Sequence, residues 1–91
     1  MVRLRRLYRD ANHCEPASNQ HALAWAQRPE LWAEHQIRFR GWSWAAADST
    51  VRNCRILVNR IAAAAHRKGV DPADLVAGFH FPAAPELEVE A

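Results

Sequence analysis

Histidine and cysteine are the residues of this chain whose chemistry suits metal binding or nucleophilic attack. His13, Cys14 and His21 lie close together in the sequence. Structural zinc sites carry paired ligands at short spacing on both sides of the site, and here there is only one adjacent pair. Cys14 has no surrounding motif typical of a nucleophile with its base, so we expect no metal, no cofactor and no enzymatic activity. Further along the chain, Cys54, His66 and His80 are single and scattered.

Tryptophan provides a second candidate site, because four tryptophans lie within twenty residues, at positions 25, 32, 42 and 44. Tryptophan is enriched in the hot spots of protein interfaces, and small domains also bury tryptophan as core area. We expect two of the four in the core. Trp42 and Trp44, next to Gly41, are the best candidates for exposed anchors. Together with Arg38 and Arg40 they form the predicted partner-binding site, a composition that would also suit stacking on nucleobases.

A third candidate site consists of arginines. Positive and negative charge are divided unevenly along the chain. All 12 Lys and Arg lie in residues 1–69, where five acidic residues leave a balance of +7; residues 70–91 hold the other five acids and balance at −5. A basic body with an acidic end indicates an internal clamp or a surface for an oppositely charged partner. The nucleic-acid-binding alternative depends on one helix face within residues 50–68, which carries Arg52, Arg55, Arg60 and Arg67.

The elements that must position these residues are predicted to be helices. Ser18 is a suitable N-cap for a helix from residue 19, and Pro29 should end that helix and begin a second one that stops near Gly41. The next helix begins at Ser43 or at Asp48 and ends at Gly69. Its inward side is predicted to carry seven apolar residues: Val51, Cys54, Leu57, Val58, Ile61, Ala62 and Ala65.

The corner after that helix, from Ala65 to Leu75, resembles the helix-turn-helix family of DNA-binding modules. The resemblance covers under a fifth of the chain and rests on the packing and turn positions Ala65, Gly69, Val70 and Leu75. In that family the second helix reads the major groove. Here that helix would span residues 72–79 and carries no Lys, Arg, Asn or Gln, so we interpret the segment as a packing corner.

The two ends of the chain have two interpretations. Residues 2–11 have helical spacing, whereas residues 2–5 also alternate apolar and charged side chains as a strand does. Residues 86–90 alternate in the same way with the opposite charge. The ends therefore either pair as two short strands or form a basic helix and an acidic tail, and that tail would be a free arm, a partner ligand or a cover for the basic helix.

The sequence as a whole predicts one all-α domain, a small bundle of three to four helices over residues 1–82, followed by an acidic tail over residues 83–91. We expect a non-enzymatic protein-interaction module, such as an adaptor, inhibitor or assembly factor of a bacterium or phage with a GC-rich genome. Its expected partner is a protein with an acidic surface, with a homodimer as a further form. No secretory signal or membrane span is evident, so we expect it in the cytoplasm.

Overall fold

A computed structural model describes the backbone of residues 2–78 and the side chains of residues 4–78. All regular structure in this range is helical, which confirms the all-α class. The range contains five α-helices rather than three to four, since the N-terminal segment is itself a helix. The elements are α1 (Val2–Asn12), α2 (Asn19–Gln27), a 3₁₀ turn (Pro29–Leu31), α3 (Ala33–Phe39), α4 (Trp44–Lys68) and α5 (Pro72–Ala77).

Serine hydroxyls fix the starts of α2 and α4. The Ser18 hydroxyl accepts a hydrogen bond from the His21 amide at 3.0 Å, as predicted. The Ser43 hydroxyl accepts one from the Ala46 amide, also at 3.0 Å. Each satisfies an amide that has no partner within its own helix. The longest helix therefore begins after Ser43, and Asp48 lies inside its first turns.

The break at Pro29 is larger than predicted. A single helix was expected from Pro29 to Gly41, but the structure has a 3₁₀ turn, a non-helical Trp32 (φ −132°, ψ −18°) and then α3. Pro29, the first residue of the 3₁₀ turn, has no backbone N–H to donate to an earlier carbonyl. The Trp32 indole N–H donates to the Trp25 carbonyl at 2.8 Å. The bend therefore places Trp32 against α2.

Glycine ends α4 as predicted, and α5 packs behind the corner. Gly69 adopts the left-handed conformation (φ 72°), and the Val70 amide donates to the Ala65 carbonyl at 3.0 Å. Asp71 occupies the N-cap position of α5 without a side-chain hydrogen bond. Val76 is fully buried, so the segment acts as a packing corner.

The core lies where α2 crosses α4, with α1 on one side and α5 on the other. Of the seven residues predicted to face inward on α4, Val51 and Val58 are half-buried and Ala62 is exposed. Ala62 lies about 80° around the helix from the centre of the buried side, beyond the reach of the flanking helices. The fully or nearly fully buried apolar residues of the cluster are Leu4, Ala22, Leu23, Ala26, Cys54, Leu57, Ile61 and Val76.

Polar contacts hold α1 in place. The Arg5 guanidinium donates to Asn19 at 2.9 Å and to Glu15 at 3.1 Å. Asn19 in turn donates to the Val76 carbonyl at 2.9 Å, so one side chain joins α1, α2 and α5. The helical interpretation of residues 2–11 is therefore the observed one.

The remaining predictions for the C-terminal end lie outside the described residues. These are the strand at residues 86–90, the acidic tail at 83–91 and the last residue of the helix predicted to reach position 79. Within residues 2–78, no helix is both long enough and apolar enough to cross a bilayer.

Candidate interaction surfaces

Three of the four tryptophans form one aromatic cluster. Trp25 and Trp32 are stacked, with ring centroids 4.5 Å apart and planes 10° apart. Trp42 and Trp32 form a T-shaped pair with ring centroids 6.5 Å apart, as do Tyr8 and Trp25 at 5.4 Å. All four rings are half-buried; Tyr8, Trp25 and Trp32 pack against the core, and Trp42 extends this outer layer through Trp32. Trp42, predicted as an exposed anchor, belongs to this layer.

Trp44 lies outside the cluster. It is the first residue of α4 and is 75% exposed, which is the greatest exposure of any large apolar side chain in the described range. Phe39, at the end of α3, is 71% exposed, and Leu31 is 68% exposed. Phe39 and Trp44 flank the turn at Gly41, so the chain keeps their Cα atoms within about 18 Å. We call Leu31, Phe39 and Trp44, with the adjoining Arg38 and Arg40, the α3 surface.

Two arginines give the α3 surface its charge. Arg38 pairs with Glu34 one turn earlier at 3.1 Å, and both side chains are more than 60% exposed. An exposed pair of this kind is weak and exchanges readily with other partners. Arg40 is exposed and has no ion-pair partner among the residues with described side chains. Both guanidinium groups are therefore available to carboxylates on another molecule.

A groove runs between α1 and α4 on another side of the molecule. Its wider part has a volume of about 580 Å³ and lies between Leu7, Trp42 and Ala46, with Asp10 at its edge. A narrower part of about 230 Å³ continues along α4 to Arg60. Trp42 thus both contacts Trp32 and lines this groove. The groove has no signature in the sequence, because it depends on the angle between two helices.

The four arginines predicted on the outer side of α4 divide into two kinds. Arg52 pairs with Asp48 one turn earlier at 3.0 Å. Arg55, Arg60 and Arg67 are exposed, and no carboxylate among residues 4–78 forms an ion pair with them. The basic face is therefore present, with three of its members unpaired.

The metal and thiol candidates within residues 4–78 do not assemble into a ligand set, and His80 lies outside the described residues. Within the described residues, no group of three or more His, Cys, Asp or Glu side chains is placed to hold a metal ion. His21 instead shares a hydrogen bond with the Tyr8 hydroxyl at 3.1 Å. Burial first, and the nearby Cys14 thiol second, raise the pKa of Tyr8. Cys54 is fully buried, and burial raises the pKa of its thiol to about 11.

Sequence reasoning missed Leu31 and Phe39 as surface residues. His35 and Phe39 are four residues apart on α3 and lie on one side of it, with their rings 5.0 Å apart, whereas Leu31 lies before the break at Trp32. This spacing was visible, but Ala33 and Ile37 have the same spacing on the other side. The periodicity alone could not decide which side faces the core.

Comparison of the chain with family models, with curated proteins and with solved structures finds no match.

Proposed function

We propose that this protein is a non-enzymatic interaction module that binds another protein through the α3 surface. The observation that carries the proposal is the exposure of Trp44 and Phe39 beside Arg38 and Arg40. Folded monomers leave single apolar residues exposed as a matter of course. Two large exposed aromatic rings within six residues, next to two arginines, instead match the composition of interface hot spots.

The chemistry of this surface defines its partner. The aromatic rings need an apolar pocket that excludes water, and the guanidinium groups need acceptors around it. Arginine donates in a planar fork that fits carboxylates. The partner is therefore a protein whose surface has an apolar depression ringed by Asp or Glu. A second copy of this chain is the other occupant to test, in which case the surface would form a two-fold dimer.

Single replacements separate binding from folding. Trp44→Ala and Phe39→Ala remove exposed rings, whereas a change at Trp42 would also damage the core cluster. Ile56→Ala is the matched control, because Ile56 is an aliphatic residue on α4 that is 45% exposed and lies outside the α3 surface. Circular dichroism spectra of all three variants should match that of the wild type.

The experiment begins with capture of bound protein by the tagged chain from its host cells, at low and at high salt. The captured protein is then purified and titrated against each variant by calorimetry. We expect Trp44→Ala to weaken binding by at least about thirty-fold, the effect of losing a hot spot of about 2 kcal/mol, and Ile56→Ala to change it less than about three-fold. Equal affinity for wild type and Trp44→Ala would refute the proposal. Sedimentation of the wild type over a concentration series tests the dimer.

A further inference from the structure

We propose that the outer face of α4 is a second, separate binding surface, and that its ligand is the phosphate backbone of a nucleic acid. The surface consists of Arg55, Arg60 and Arg67, and we call it the α4 arginine face. It shares no residue with the α3 surface, so this inference does not depend on the proposed function.

Most arginines elsewhere in residues 4–78 are paired with an acid, Arg6 and Arg40 being the exceptions, whereas none of the three on this face is. Arg5 and Arg9 share Glu15, at 3.1 Å each. Arg28 contacts Glu30 at 3.5 Å. Four of the five acidic residues between positions 4 and 69 thus pair with arginines of α1, the 3₁₀ turn, α3 and the start of α4. Residues 49–68 contain no acidic residue at all, and this is the stretch that carries the α4 arginine face.

The geometry of α4 places these groups on one side. At about 100° per residue, Arg55, Arg60 and Arg67 fall within an arc of about 140°, centred opposite the buried Cys54. Along the axis they span about 18 Å. Duplex DNA carries one negative charge for about every 1.7 Å of its axis, counting both strands. A stretch of duplex as long as this face therefore carries about ten phosphates, and those on the near side are more than enough for three arginines.

Phosphate fits this face better than a carboxylate-bearing protein does. A protein interface needs a desolvated apolar centre, and the exposed residues between these arginines are small or polar, apart from Ile56. Ile56 is only 45% exposed and offers no aromatic ring. Phosphate contacts, in contrast, need only positioned cations and are independent of base sequence. Without a ring for stacking, the face should bind duplexes and single strands without sequence preference.

Fluorescence anisotropy with a labelled 20-base-pair DNA duplex of arbitrary sequence tests the proposal, using the full chain at 25 to 200 mM salt. Three phosphate contacts predict a slope of about −2.7 in a plot of log affinity against log salt. Affinity should therefore fall about forty-fold between 50 and 200 mM salt. The same measurement with single-stranded DNA and duplex RNA identifies the preferred form.

Two triple variants of equal charge locate the surface. Arg55→Gln, Arg60→Gln, Arg67→Gln together should weaken duplex binding at least ten-fold at 50 mM salt and flatten the salt dependence. A second variant changes three arginines outside α4, Arg6, Arg9 and Arg28, to Gln. It should keep the affinity within about three-fold, because a face-specific contact does not depend on net charge alone. Glutamine keeps the helix propensity of arginine, and helical content is checked by circular dichroism.

Three results would overturn the proposal. The first is no binding of duplex or single strand at 25 mM salt. The second is an equal loss in the two triple variants, which would show that only net charge matters. The third is tighter binding of polyglutamate, or of vesicles containing phosphatidylserine, than of either nucleic acid, which would assign the face to a carboxylate partner or to a membrane surface.

Discussion

Replacing Trp32 by alanine should destabilise the protein strongly, whereas replacing Trp44 by alanine should leave its stability unchanged. The two residues have the same side chain and lie twelve positions apart, but their surroundings differ. Trp32 stacks on Trp25 at 4.5 Å and donates its indole N–H to the Trp25 carbonyl at 2.8 Å. Trp44 is 75% exposed. The pair therefore compares a ring of the core with a ring of the surface.

The cost of Trp32→Ala follows from three losses. The hydrogen bond to the backbone contributes about 1 kcal/mol net, and the stacked geometry contributes about 1 kcal/mol beyond the area it buries. The apolar area of a half-buried ring contributes about another 1 kcal/mol. We therefore expect a loss of about 3 kcal/mol, a large part of the roughly 5–14 kcal/mol that a chain of this length has.

Urea unfolding followed by circular dichroism measures both variants. The expected loss for Trp32→Ala corresponds to a fall in melting temperature of at least about 12 °C for a domain of this size. Trp44→Ala should stay within about 0.5 kcal/mol of the wild type, as exposed substitutions do. Trp32→Phe keeps a ring without the N–H and should fall between them. A loss below 1 kcal/mol for Trp32→Ala, or above 1 kcal/mol for Trp44→Ala, would refute the assignment of these rings to core and surface.

Two further predictions concern ionisable groups. Cys54 is fully buried and its thiol has a raised pKa, whereas Cys14 is exposed. A thiol reagent at pH 8 should therefore label one cysteine per native chain and two per unfolded chain. Labelling of two cysteines in the native state would contradict the packing of Cys54. Burial alone would raise the pKa of Glu15, but hydrogen bonds and charges from Arg5 and Arg9 lower it. A lowered pKa adds stability above the ordinary glutamate pKa of about 4.3, and this is lost as the pH falls through the lowered value. The melting temperature of the wild type should thus exceed that of Glu15→Gln at pH 7, and the gap should close toward pH 3; a gap independent of pH would contradict this.

Local signals in the sequence predicted most helix boundaries correctly. The caps at Ser18 and Ser43 and the stop at Gly69 each depend on one residue whose chemistry suits only that position. Such signals act over three or four residues and need no knowledge of the rest of the fold. The choice between Ser43 and Asp48 stayed open, because both residues are good N-caps.

The candidate site was harder to predict, because burial depends on contacts distant in sequence. Trp42 and Trp44 are two residues apart and chemically identical. Trp42 forms a T-shaped pair with Trp32, with ring centroids 6.5 Å apart, whereas Trp44 is exposed to solvent. Nothing within the local sequence distinguishes them. The break at Trp32 was hard to predict for the same reason. The Trp32 indole N–H donates to the carbonyl of Trp25, seven residues earlier, and local sequence does not indicate this contact.

The ion pairs of the structure separate the arginines that contact acids of the same chain from those that remain available to a partner. Glu15, Glu30, Glu34 and Asp48 each lie beside an arginine, so most acids of the basic body serve local pairs. Six exposed cations within residues 4–78 have no ion pair: three lie on one face of α4, Arg40 adjoins the exposed rings of the α3 surface, and the other two are Arg6 and Lys68. If the arginines were only a means to solubility, replacing paired and unpaired arginines should have equal effects on binding. The two proposed surfaces predict unequal effects: replacing their arginines should weaken binding more than replacing the arginines whose ion pairs hold the fold together.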